Sequence, residues 1–131
     1  MREIKYIVAH TSATPQDTTI ASIQRYWKVN LGWKNPGYHF IIDKLGNVTN
    51  IFPIEQVSNG VSGYNSNSIH IAYIGGEHID DRTDAQKEAM RGVILTMKAM
   101  FPDAIIQGHR DFPNVRKACP RFDAKVEYKD L

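Results

Sequence analysis

The chain has 131 residues, 42% of them hydrophobic and 23% charged, the composition of one globular domain with enough apolar residues to bury a core. A formal net charge of +2 leaves no electrostatic footprint for nucleic acid, and the single cysteine excludes an intramolecular disulfide. Neither a signal-peptide core nor a membrane-spanning run follows the charged start Met1-Arg2-Glu3-Ile4-Lys5, so no membrane partner is expected.

Residues Ile4 to Ala9 read as a strand, with Ile4, Tyr6 and Val8 on one face and Ile7 and Ala9 on the other. Apolar residues on both faces suit a central strand covered on both sides. His10 follows at its carboxyl end, the edge of an open α/β sheet where ligands usually bind. Taken alone, a histidine there more often caps a strand than binds a metal.

Asp17 or Thr18 can cap a helix whose buried stripe is Ile20, Ile23, Trp27 and Leu31, ending at Gly32. Pro36-Gly37 marks a turn, Tyr38 to Asp43 read as a strand, and Gly46-Asn47 returns the chain into Val48 to Phe52 as a hairpin. Strand alternation sends Tyr38 and His39 to opposite layers, and the pattern leaves open which of them faces a cleft. Ser58 to Asn67 is a glycine- and asparagine-rich loop expected on the surface. Ser68 to Ile74 form a strand with Ile69, Ile71 and Tyr73 on one face and His70 on the other, where His70 reads as a packing residue. His78 lies in a polar turn and reads as solvated.

Thr83-Asp84-Ala85-Gln86 is a capping box. It opens a helix to about Met100 that buries Ala89, Met90, Val93, Ile94, Met97 and Phe101, with its three methionines as core filler. Pro102 stops it. Ala104 to Gln107 make a last short strand, and Gly108 delivers His109 at its end.

Two strands thus end in a histidine. If they are parallel neighbours, His10 and His109 meet at one sheet edge, and the loop to Cys119 can fold back beside them. Imidazole and thiolate suit a borderline-soft cation such as zinc, and three such donors leave a fourth position free.

Four stretches resemble the type 2 zinc-dependent N-acetylmuramoyl-L-alanine amidases, a family that includes phage endolysins and peptidoglycan recognition proteins. They are Ile7-Val8-Ala9-His10-Thr11, Gly32-Trp33 with Gly37-Tyr38-His39-Phe40, Gly63-Tyr64-Asn65-Ser66-Asn67-Ser68-Ile69, and Gly108-His109-Arg110-Asp111 with Lys117-Ala118-Cys119-Pro120. They span nearly the whole chain in order.

The resemblance implies an α/β fold, a mixed central β-sheet flanked by helices on both faces. It implies Zn2+ held by His10, His109 and Cys119, catalytic Tyr38 and Lys117, and Tyr38 as the member of its pair that faces the cleft. The implied substrate is peptidoglycan, cut at the amide joining muramic acid's lactyl group to L-alanine. A single catalytic domain over residues 1–131 is expected, monomeric, without a separate cell-wall-binding module. It would be made in the bacterial cytoplasm and reach the wall after release by another factor.

Two positions depart from the pattern. Phage members often carry a histidine before the Gly-Tyr-Asn motif, where Gly60 stands here, and many relatives have one after the first helix's tryptophan, where Lys28 stands. Two other readings compete: a Cys-His hydrolase with Cys119 as nucleophile, and a catalytically silent peptidoglycan-binding domain. No H-E-x-x-H helix is present, which excludes a thermolysin-like arrangement.

Overall fold

A computed structural model describes residues 1–131. Its elements are β1 (Tyr6–Thr11), α1 (Ile20–Arg25), β2 (Phe40–Ile42), β3 (Val48–Asn50), β4 (Ser68–Tyr73), α2 (Asp84–Met100), β5 (Ile105–Gly108) and α3 (Ala124–Glu127). They form one mixed five-stranded sheet in the order β3-β2-β4-β1-β5. Only the β2–β3 hairpin is antiparallel; β1 runs parallel to both β4 and β5.

The central strands are apolar on both sides, so both faces need cover. On one face Ile7, Ala9, Ile69, Ile71 and Tyr73 pack with Met90, Ile94 and Met97 of α2 and with Phe122 and Tyr128 around α3. On the other, Ile41 and Ile74 pack with Ile23 and Trp27 of the α1 segment. Beside them Val8 packs with Val61 and Phe112 from the loops. Helices therefore lie on both faces, as expected. None is long and apolar enough to cross a membrane.

Thr19, one residue after the expected cap, accepts from Ser22 N–H, and a π-helical turn (Tyr26–Asn30) continues α1. That wider turn breaks the 3.6-residue spacing after Trp27. Leu31 is accordingly exposed where burial was expected. Ile4 precedes β1 and joins the Ile7 and Ala9 cluster, because alternation begins only once the chain enters the ladder. On α2 the Thr83–Gln86 capping box forms as read, but Met100 is exposed, leaving Met90 and Met97 as the buried methionines. Helix α3 lies where the sequence pattern predicts no element. Its four residues carry too little periodicity, and it is held from outside by the buried Arg82, which forks onto Glu127 at 2.7 and 2.8 Å, bonds Asp80 and lies over the Phe122 ring.

Candidate active site

Register carries the site. Ala9 pairs with Gly108 across the β1–β5 ladder, so the next residues, His10 and His109, emerge side by side at the carboxyl edge of the sheet. Their ring centroids are 5.0 Å apart. The segment after His109 turns back at once: Arg110 N–H donates to Cys119 O at 2.9 Å, and Tyr73 Oη donates to Pro120 O at 2.8 Å. Gly108 makes this return possible, since a Cβ there would stand 2.6 Å from Pro120 Cδ. Cys119 Sγ thereby lies 3.7 Å from His10 Nδ1 and accepts the Thr11 N–H at 3.2 Å.

Residues 10, 109 and 119 each offer one donor atom, and these atoms all lie within 4.8 Å of one another. For a tetrahedral zinc with Zn–N near 2.0 Å and Zn–S near 2.3 Å, the nitrogen–sulfur edge is about 3.6 Å. The observed 3.7 Å edge fits, as does the chemistry of two imidazoles and one thiol.

Burial sets the charge state here. It holds His10 well below its ordinary value, helped by neighbouring His70, and brings His109 down to about 4, with Lys117 contributing. Burial also pushes the Cys119 thiol up to about 11, partly opposed by the Thr11 N–H. Both imidazoles are thus neutral and ready to ligate at pH 7. The thiol needs a nearby cation before it gives up its proton.

Tyr38 and Lys117 line the same cleft, of about 800 Å³, as the three donors. Tyr38 packs edge-on against Trp27 and beside His10, and its hydroxyl donates to Thr11 O at 3.2 Å. Burial raises its phenol well above the ordinary value, so it stays a proton donor. A second depression of about 740 Å³ shares Trp33, Gly60, His109 and Lys117 with the first. The site therefore sits in the middle of a longer trough.

His39 does not go to the opposite layer. Tyr38 precedes β2, so strict alternation does not govern it, and both residues end up on the α1 side of the sheet. The His39 ring lies parallel to that of His70, behind the site, and its Nε2 is 2.8 Å from Gln56 O. The Ser58–Asn67 loop is likewise more than surface. Ser58 and Val61 are buried, and the loop packs on the face of β1 and β4, Val61 against Val8 and Gly60 against His70. His70, read as a packing residue, has Nδ1 2.8 Å from His10 Nε2. Sequence offered no sign of that contact, since His70 lies 60 positions away. Lys28 and His78 both face solvent.

His10, His39 and His70 are all buried with pKa values depressed chiefly by burial, that of His39 to about 4. An unfolded chain binds protons on these rings below about pH 6.5, whereas the folded one does not. Stability is therefore full above pH 6.5 and falls as pH drops toward 4, by about 1.4 kcal/mol per pH unit for each such ring. Urea midpoints of metal-free protein at pH 7.5, 6 and 5 measure this. Unchanged midpoints would mean that the rings take up protons without unfolding.

The sequence pattern of the N-acetylmuramoyl-L-alanine amidase family matches residues 1–122. The endolysin of Klebsiella phage KP32 is 35% identical over 133 residues, covering 95% of this chain and 85% of the relative. The endolysin of Escherichia phage T7 is 35% identical over 127 residues, covering 91% of this chain and 82% of the relative. Among solved structures, the endolysin N-acetylmuramoyl-L-alanine amidase LysCS of Clostridium intestinale superposes with a TM-score of 0.84 at 22% identity, covering 98% of this chain and 85% of that one.

Proposed function

Because the chain belongs to the N-acetylmuramoyl-L-alanine amidase family, we propose that it is a zinc-dependent hydrolase of peptidoglycan, cleaving the amide between the muramic acid lactyl group and L-alanine. The observation that carries this reading is the convergence of His10 Nδ1, His109 and Cys119 Sγ inside a cleft that also holds Tyr38 and Lys117. Zinc held by His10, His109 and Cys119 would supply Lewis-acid chemistry there, polarising the amide carbonyl and lowering the pKa of an attacking water.

The chain's own residues do the rest. His10 and His109 enter the site neutral, so they ligate without first losing a proton. Cys119 gives up its thiol proton on metal uptake, and the Thr11 N–H steadies the resulting thiolate. Lys117 brings a positive charge to the junction of the two depressions, where it can hydrogen-bond the carbonyl oxygen as negative charge develops. Tyr38, kept protonated by burial, can turn its hydroxyl from Thr11 O toward the reacting amide and donate there. The trough on either side of the donors suits an extended polymer with a glycan in one arm and a peptide stem in the other.

The cysteine-nucleophile reading is less well supported. A thiol pushed up to about 11, facing an imidazole that burial keeps neutral, is a poor source of thiolate. Synthesis in the bacterial cytoplasm and later release to the wall by another factor fit this activity. Residues 1–131 act as one monomeric catalytic domain.

Digestion of purified peptidoglycan with the zinc-loaded protein tests the proposal. The expected products carry new L-alanine amino termini without new reducing ends. Reducing ends in their place would mean glycosidic cleavage, and retention on peptidoglycan without any release would favour the silent binding domain.

A further inference from the structure

A chain of hydrogen bonds runs from His10 Nε2, the ring nitrogen turned away from Cys119. His10 Nε2 lies 2.8 Å from His70 Nδ1, His70 Nε2 lies 2.9 Å from Asn65 Oδ1, and the same Asn65 oxygen accepts the Val61 N–H at 2.7 Å. The backbone donor at Val61 fixes which end of the Asn65 amide points inward, because an NH2 group there would face an N–H. An oxygen can only accept, so His70 Nε2 must carry a hydrogen. His70 is fully buried and neither hydrogen-bond partner of its ring is anionic, so the ring is neutral and its Nδ1 is bare. His10 Nε2 must then donate, which leaves His10 Nδ1 bare, and Nδ1 is the nitrogen that faces Cys119 Sγ at 3.7 Å.

We infer that His70, set by Asn65, is a positioning residue: it accepts the His10 Nε2 proton and so holds His10 in the tautomer and orientation that present Nδ1 to the metal. Gly60 belongs to the same device. A Cβ at position 60 would stand 2.3 Å from His70 Nδ1, so the ring reaches His10 only because position 60 has no side chain. Residues 60 and 70 interlock. The glycine is therefore required by close approach of an imidazole, and its own backbone has no positive φ.

This inference rests on the zinc reading for its consequence, while the tautomer itself does not depend on it. Nitrogen-15 NMR of the imidazoles in metal-free wild-type protein should find His10 and His70 both as Nε2–H tautomers. A His10 protonated at Nδ1, or a His70 protonated at Nδ1, would overturn the assignment whether or not zinc binds. Zinc affinity is then measured by competition with a chromophoric chelator, alongside the melting temperature. Loss of such an outer partner typically weakens metal binding by roughly 10–100-fold, and that loss is expected for His70→Ala. Gly60→Ala, which displaces the ring, should weaken zinc in the same direction. His70→Asn, whose Oδ1 can stand where Nδ1 stood, should restore affinity toward wild type. A folded His70→Ala protein with wild-type zinc affinity would sink the positioning role, as would equal losses in His70→Ala and His70→Asn. Should His70→Ala fail to fold, the wild-type spectrum and the Gly60→Ala affinity decide.

Discussion

Replacing any one of His10, His109 or Cys119 should abolish peptidoglycan hydrolysis together with stoichiometric zinc. His10→Ala, His109→Ala and Cys119→Ser each leave two of three donors that now converge within 4.8 Å. Two ligands do not hold a catalytic zinc against competition from buffer and water. The activity loss should exceed the roughly 10²–10³-fold typical of removing a single oxyanion donor, because carbonyl polarisation and the ionised nucleophile disappear together. Cys119→Ser is the most informative of the three, since serine keeps the shape but is a far poorer ligand for this cation. Zinc per chain by elemental analysis and turbidity loss of cell walls check both halves. Wild-type activity in thoroughly metal-free protein would end the zinc reading. Full zinc retention with complete loss of activity in Cys119→Ser would revive the thiol as nucleophile.

Tyr38→Phe and Lys117→Ala should do the opposite with respect to the metal: zinc stays near wild type while turnover falls. Neither residue belongs to the donor set, and both line the cleft around it. A positioned proton donor is worth roughly 10²–10⁴-fold and an oxyanion donor roughly 10²–10³-fold in kcat. KM should change less, because a contact made mainly in the transition state adds little to ground-state binding. Tyr38→Phe keeps the ring packed on Trp27, so it removes only the hydroxyl and its bond to Thr11 O. That lost bond costs about 1 kcal/mol of stability. If both variants keep wild-type turnover, Tyr38 is a wall residue and Lys117 a surface charge, whatever the metal does.

By itself the sequence determined the elements with strong periodicity or capping chemistry, and it assembled the candidate donors. The alternation around Ile7 and Ile69 and the Thr83–Gln86 box are local signals, and locally generated structure followed them. His10 and His109 were legible because each closes an apolar run, and two such runs laid parallel must bring their ends together. Tertiary structure alone decided what depended on distant partners. Leu31 lost its place in the core to a π-turn, α3 is anchored to the sheet by a buried Arg82 that holds Glu127, and Tyr38, lying outside the ladder, joined His39 and Ile41 on the site's side of the sheet. Above all, nothing local distinguishes His70 from a packing residue. Its role depends on β4 lying beside β1, on Asn65 Oδ1 being fixed by Val61, and on the empty space at Gly60. A hydrogen bond between residues 60 positions apart is a property of register and packing, and no sequence window contains it.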